Sequence, residues 1–421
     1  MRILLYGINF APELTGIGKY SGEMTAWLTA RGHDVRVITA PPYYPDWRVA
    51  DGYSSWRYRR EFWRFDEQSC ARVWRCPIWV PRQPSGKKRL LHLASFALSS
   101  FPVALAQARW RPDVVMTVEP TLAVSPIALL LARLSGAKSW LHVQDFEVDA
   151  AFGMGLLGGG RLKKWAMGRE RALLARFDRI STISDRMMDR LAEKGVGDGA
   201  RVLFQNWADV HSIHPLEEPS GFRRELGLGD AAVVVLYSGN LGEKQGLEVL
   251  VEAAEQTVSE GDVIWVLAGA GSARARLEAM SSGFSNVRWL PLQPVEKLNE
   301  LLNLADIHVL PQRADAADLV MPSKLTGMLA SGRAIVATAA EGTQVGQVMD
   351  ECGLRVPPGD ARALAGAVTG LARDESRRRA LGAKARAYAE KHLGYDSIMA
   401  HFEAELNALV HGTQRPIAEE K

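Results

Sequence analysis

The sequence predicts an α/β protein built from two doubly wound, Rossmann-like domains, and three observations carry that reading. Short apolar runs alternate with helix-period stretches along the whole chain, the pattern of parallel sheets with crossover helices. The alternation lapses once, over "NWADVHSIHPLEEPSG" at 206–221, and then restarts. At 421 residues the chain also exceeds one ordinary core, because roughly 150 residues per domain suggests about two or three. We therefore read 1–205 as an N-terminal domain, 206–221 as a linker, 222–390 as a second domain and 391–421 as a crossover helix and tail.

Taken in order, residues 3–6 form the first strand, since "MRILLYGINFAPE" has an apolar core too short for a signal peptide and ends in Pro-Glu. Further strands fall at 35–39, 114–118, 140–144, 180–184 and 202–204, then at 233–237, 263–267, 287–290, 307–310 and 335–338. Residues 361–409 have mostly helical period, with a charged patch "RDESRRR" and a break at Gly394, before a frayed tail "HGTQRPIAEEK". The stretch 92–110 is uncharged from 93 to 108 but holds Ser95, Ser99, Ser100, Pro102 and Gln107. It therefore reads as a buried or surface-lying helix rather than a membrane span, which needs about 20 predominantly apolar residues. A net charge of +3 carries no whole-molecule signature of nucleic-acid binding. Cys70, Cys76 and Cys352 form no metal pattern, and so sparse and odd a set predicts a reducing, cytoplasmic address.

The chemistry concentrates in glycine turns. "YSGNLGEKQGLEVL" at 237–250 follows an apolar strand and enters a helix. The first amides of a helix lack internal partners and carry the positive end of its dipole, so a phosphate there satisfies both. Gly239 and Gly242 permit close backbone approach, Asn240 tolerates a left-handed turn, and Lys244 adds a charge; alternatively the glycines merely turn the chain. "MPSKLTGMLASGRAIVAT" at 321–338 is a second such turn, with Pro322 suited to a first helical turn, Ser323 able to bond phosphate or ribose, and Lys324 favoured beside an anion. "AGAG", with Gly269 and Gly271, is a third. Together Gly239, Asn240, Lys244, Gly269, Gly271, Pro322, Ser323, Lys324 and Leu325 point to a single extended phosphate-bearing ligand. Familiar fingerprints are missing at these turns: there is no GxxxxGK[ST], no HExxH, no GxSxG, no Cys/His cluster and no DxD, while "GIGKYSG" has one residue too many for GxGxxG and "GAGSAR" lacks its last glycine. That set of absences disfavours P-loop kinases, dehydrogenases, zincins, serine hydrolases and DxD metal sites, and we expect no metal and no cofactor.

"FAPELTGIGKYSGEMTAWLTARGHDVRVIT", "STISDRMMDRLAEKGV", "RVLFQNWADVHSIHP", "YSGNLGEKQGLEVLVEAA" and "VLAGAG" resemble the GT-B glycosyltransferases, specifically the retaining family 4, over nearly the whole chain. The resemblance implies two domains facing across a cleft, with C-terminal helices packing back on the N-terminal domain. It implies a nucleotide-sugar donor, treated as substrate, whose diphosphate meets Lys244 and the Gly239 turn. It implies retention of the anomeric configuration. Two departures stand out: Asn240 replaces a common Arg, and Leu319 and Gly327 fall where the family commonly carries two glutamates eight apart.

On the acceptor side we expect the loop with Gly16, Gly18 and Lys19, and the strand end "HVQDFEVD". His142 and Gln144 share a strand face and Asp145 begins the loop. His142, Asp145 and Lys244 are the candidate catalytic residues; for His142 a satisfied core position is the competing reading, and Gln144 or Asp145 could hold the sugar-contacting place instead. Residues 48–111 carry 13 Lys/Arg against 4 Asp/Glu, and 6 of the 12 tryptophans lie between Trp47 and Trp110. Basic groups among interfacial aromatics suit an anionic leaflet, with Lys87, Lys88 and Arg89 as contacts, and a lipid-linked saccharide acceptor follows. A core helix with a solvated basic loop, or nucleic-acid binding, would use the same mixture. The resemblance thus implies a glycosyltransferase of exopolysaccharide biosynthesis, and the basic segment places it peripherally on the inner leaflet; a nucleotide-sugar 2-epimerase of the same fold and a non-catalytic relative are the alternatives.

Overall fold

The computed structural model describes the chain except for residues 15, 68, 83–85, 121, 150–159, 243–244, 314–321 and 413–421, and the side chains of 86, 87, 161 and 162. Two compact units divide it: Met1–Gln205 together with the chain from Met399 onward, and Asn206–Ile398. Each is an α/β sandwich around a largely parallel sheet.

In the first unit eight strands, β1 (Arg2–Gly7), β2 (Asp34–Thr39), β3 (Arg59–Arg64), β4 (Cys70–Arg75), β5 (Val114–Glu119), β6 (Lys138–Val143), β7 (Arg179–Thr182) and β8 (Arg201–Leu203), pair in the order β3-β4-β2-β1-β5-β6-β7-β8. All pairs are parallel except the β3–β4 edge. β5 is buried at every residue because helices cover both faces of a parallel sheet, and this is why its sequence runs apolar without alternation. β3 and β4 alternate instead, and the sequence reading missed both. Their Arg and Trp side chains look like a basic loop until Arg75, 1% exposed, is seen paired to Glu61 at 2.7 Å and donating to the carbonyls of Ala40 and Ala11. Ser184, read as the end of a strand, instead caps the helix Asp185–Glu193 by accepting from the Met187 amide.

The last helix, Tyr395–His411, returns to this unit from Met399. Phe402 stacks on Phe204 at 4.2 Å and meets Trp140 edge-on at 5.2 Å, while Glu403 accepts from or pairs with His33 at 3.0 Å. The C-terminal helix thus packs on the N-terminal unit, as expected.

The second unit holds β9 (Val233–Ser238), β10 (Val263–Ala268), β11 (Val287–Leu290), β12 (Ile307–Pro311), β13 (Ala334–Thr338) and β14 (Leu354–Val356) in the order β11-β10-β9-β12-β13-β14, all parallel. Only β14 among these escaped the sequence reading, being three residues long. Strand order reverses between β9 and β12, and in doubly wound sheets the carboxyl ends at that reversal open a ligand crevice. Asn206 onward belongs to this unit, so the stretch read as a linker is anchored there: Arg386 donates to the carbonyls of Val210 and Ile213, and Asn303 clamps His214 and Leu216.

Candidate functional site

At the carboxyl end of β9 the backbone turns through Gly239 at φ 138°, a conformation open mainly to glycine. Gly269, at φ 143°, and Gly271, at φ 157°, belong to the turn after β10, where a Cβ would collide with the Gly239 and Leu241 carbonyl oxygens respectively. Amides of Gly239 and Leu241 donate to the carbonyls of Ala268 and Ala270 at 2.9 and 2.8 Å. Gly269 and Gly271, assigned from sequence to the ligand, therefore serve to lock two turns backbone against backbone. Gly239 itself faces Lys324, whose Nζ would lie 3.3 Å from an added Cβ.

Lys324 sits in the first turn of the helix Ser323–Ala330, with Pro322 as its N-cap. Its ammonium donates to the Tyr237 hydroxyl at 2.5 Å, lies 4.4 Å above that ring, and reaches Gln245 Oε1 at 3.4 Å. Burial pushes its pKa down to about 8, and among the described residues no carboxylate offsets the lost hydration. The Tyr237 hydroxyl passes its own proton to the Asn240 carbonyl at 2.7 Å, shaping the turn. A desolvated ammonium beside a glycine turn and a helix N-terminus gains from an incoming anion. Asn240 and Ser323 are exposed at the same place. Leu325 is corrected: its side chain is fully buried in the core with Met328 and Leu329, so it is packing and not ligand contact. Lys244, Asp318 and Leu319 lie outside the described residues, and Gly327 is inside the helix. Tyr237 and Gln245 were missed by the sequence reading; a polar aromatic at a strand end directly before Ser-Gly was the available signal for the first.

In the first unit, β6 ends beside a polar relay. The Gln144 amide donates to His142 Nε2 at 3.0 Å, which places the ring proton on Nδ1, donated to Ser181 Oγ at 2.9 Å. Ser181 Oγ also accepts from Trp140 Nε1 at 2.8 Å. His142 is 3% exposed and packs on Phe204, and burial holds its pKa down to about 3. It is therefore neutral at working pH and its ring nitrogens are engaged inside the unit. The sequence assignment of His142 as catalytic is corrected to a positioning role, with Gln144 the residue that it orients. Asp145 follows, half-buried, and together with Glu119 and Glu147 makes a carboxylate group at the ends of β5 and β6. Burial and mutual repulsion raise Glu119 well above the usual carboxylate range and Glu147 to about 7. Asp149 is committed elsewhere, bonded to Arg190 at 2.9 and 3.1 Å and to Lys194 at 3.2 Å. Among the described residues no set of three metal-capable side chains converges.

The loop after β1 is organised by Glu13, unremarked in the sequence. Its carboxylate accepts from the amides of Tyr43 and Tyr44 at 3.0 and 3.1 Å and from Asn9 at 2.9 Å. Gly18 makes room for Glu13, Gly16 takes φ 61°, and Lys19 pairs with Glu23 at 3.3 Å. Farther along, the helix Gly86–Ala106 buries His92, Phe96 and Ser100 and turns Leu91, Leu98 and Phe101 outward at 62, 77 and 41% exposure. Lys88 and Arg89 are exposed at its start; the Lys87 side chain is outside the described residues. Trp56 and Phe62 add exposed aromatics, and the Tyr58 hydroxyl ties that loop to the helix through the Ser99 carbonyl at 2.8 Å. Residues Lys88–Trp110 are long and apolar enough to cross a membrane by length and composition, but Ser100 bonds Tyr6 of β1 at 2.5 Å and holds the helix side-on to the sheet.

Two sheets of this kind, each with its polar groups at the carboxyl edge, are the architecture of the GT-B fold. Residues 15–207 match the glycosyl transferase 4-like domain and 232–374 match glycosyl transferases group 1, and the chain belongs to that glycosyltransferase family. It is 46% identical over 417 residues to WcaI of Escherichia coli K12, named for colanic acid biosynthesis, covering 96% of this chain and 98% of that protein. It is 27% identical over 296 residues to the glycosyltransferase WbjE of Pseudomonas aeruginosa, covering 67% of this chain and 72% of WbjE. Among solved structures, sucrose-phosphate synthase of Thermosynechococcus elongatus superposes with a TM-score of 0.75 at 18% identity, covering 98% of this chain and 100% of that one. HepE of Anabaena, solved with UDP and glucose, gives 0.69 at 14%, covering 97% and 100%.

Proposed function

We propose that this glycosyltransferase moves one sugar, with retention of configuration, from a nucleotide-sugar to a lipid-linked saccharide during exopolysaccharide assembly at the cytoplasmic face of the membrane. The observation that carries the donor reading is Lys324, an ammonium desolvated by burial beside the Gly239 turn at the strand-order reversal, with no carboxylate paired to it among the described residues. Departure of a nucleoside diphosphate builds negative charge, which Lys324, helix amides and Lys244 would stabilise. Gln144, held by His142, and Asp145 serve the sugar and its transfer. WcaI is named for colanic acid biosynthesis, and two further relatives are named for acceptors with phosphate: a phosphatidylinositol monomannoside mannosyltransferase and a D-inositol 3-phosphate glycosyltransferase. The outward Leu91, Leu98 and Phe101 with Lys88 and Arg89 supply apolar and cationic contact for an anionic leaflet.

The test incubates the protein with UDP-, GDP-, ADP- and dTDP-sugars, with and without lipid-linked saccharide from membranes. Transfer from one donor with retained anomeric configuration supports the proposal. Epimerised donor without transfer would make the chain an isomerase, and an untouched donor set would leave it non-catalytic. Sedimentation with phosphatidylglycerol vesicles should fall in Leu98→Glu/Phe101→Glu, and unaltered sedimentation removes the membrane contact.

A further inference from the structure

A second polar cavity, separate from the residues above, opens in the first unit at the edge formed by β2, β3 and β4. It has a volume of about 340 Å³ and is walled by Arg57, Arg59, Arg75, Tyr53, Tyr58 and Ser54. β2 and β4 run parallel and β3 antiparallel, so the ends that bring Arg75 and Arg59 together lie on the carboxyl edge of the sheet. The loop after β1 meets the same wall, since Arg75 donates to the Ala11 carbonyl at 2.6 Å.

Two of the three guanidinium groups there share one carboxylate. Glu61 pairs with Arg75 at 2.7 Å and with Arg59 at 2.9 Å. Arg59 also donates to the Gly52 carbonyl at 3.0 Å, and both Arg59 and Arg75 lie over the Tyr53 ring at 4.8 and 5.2 Å. The stacking and the backbone bonds hold the two guanidiniums in place before anything binds. Arg57 is exposed and makes no ion pair among the described residues. The wall thus carries two positive charges beyond what Glu61 balances. A phosphate monoester or diphosphate matches that surplus, whereas a carboxylate brings one charge, and forked guanidinium donors fit phosphate oxygens in pairs. The volume exceeds what a bare phosphate fills, since one water occupies about 30 Å³, and the tyrosine faces suit an adjoining sugar ring. Tyr58 belongs both to this wall and, through Ser99, to the helix Gly86–Ala106 with its outward apolar side chains.

The geometry points to this cavity as the subsite for the phosphate-bearing, lipid-proximal end of the acceptor. The inference rests on the lipid-linked acceptor reading and deepens it: the cationic cavity takes the phosphate and the neighbouring apolar helix face takes the lipid.

The experiment titrates the full chain with octyl phosphate below its micelle concentration, with inorganic phosphate and with octanoate, by calorimetry. Wild type should bind octyl phosphate more tightly than either comparator. Arg57→Glu should weaken it by about tenfold or more, the scale of one charge-assisted hydrogen bond to phosphate. Arg57→Ala should fall between. A melting temperature matching wild type shows that the Arg57 variants fold. No octyl phosphate binding to wild type, equal binding to Arg57→Glu, or equal affinity for octanoate would overturn the subsite. Inorganic phosphate binding as tightly as octyl phosphate would overturn its lipid-linked assignment. Arg57-dependent octyl phosphate binding in a protein that consumes no nucleotide-sugar would keep the cavity and sink the transferase donor reading instead.

Discussion

Lys324 offers the sharpest quantitative test of the donor site. Burial holds its ammonium at about 8, against 10.5 for an unperturbed lysine, so the ligand-free protein loses that charge as pH rises through about 8. A bound diphosphate would restore the charge and return the pKa toward 10.5. Affinity would then be full below about pH 8 and decline above it until the bound form titrates in turn. Each pH unit is worth 1.36 kcal/mol, so complete restoration contributes about 3 kcal/mol to binding. Between pH 7 and pH 9 the dissociation constant of the preferred nucleoside diphosphate should rise about tenfold, with its own phosphates already ionised. Calorimetry in buffers of different ionisation enthalpy should show proton uptake on binding near pH 8. Lys324→Met should bind more weakly, without that uptake or that slope. The folded-state sign is the opposite: with the native pKa depressed, the unfolded chain holds the extra proton between about pH 8 and 10.5. Wild type should therefore gain stability as pH rises through this window, and Lys324→Met should not. Affinity independent of pH in wild type, or the same slope in Lys324→Met, would refute the reasoning.

Three further outcomes are expected. Gln144→Ala should lower the transfer rate by at least about tenfold, roughly 1.4 kcal/mol of transition-state stabilisation, with nucleotide affinity unchanged; Ser181→Ala should act in the same direction by releasing His142, and steady-state kinetics separates rate from binding. Glu147 is held up at about 7 against 4.5, so the stability it contributes is complete below about pH 4.5 and lost as pH rises through about 7. Glu147→Gln should escape about 3 kcal/mol of that loss, seen as a smaller fall in melting temperature between pH 5 and pH 8. Gly366→Ala and Gly370→Ala, in the helix Ala361–Ala372 with open space around each missing Cβ, should raise stability by about 0.5–1 kcal/mol apiece in urea unfolding.

The sequence by itself determined the two α/β units, the central strands and the glycine turns, because these are written in adjacent residues. A fully buried strand such as β5 must be apolar throughout, and a turn such as Gly239 must be glycine wherever φ is 138°. The tertiary structure alone decided what each polar side chain does. Arg75 reads as one more surface cation until Glu61, on the neighbouring edge strand, permits its burial. His142 reads as a catalytic candidate until Ser181, 39 residues away, and Gln144 satisfy it as a neutral ring. Leu325 sits beside Lys324 in sequence, yet helix geometry sends one into the core and the other toward Tyr237, 87 residues distant. Periodicity is a property of neighbours along the chain, whereas desolvation and pairing depend on segments brought together only by folding, and those two terms set the charge, the proton and the reach of every functional group.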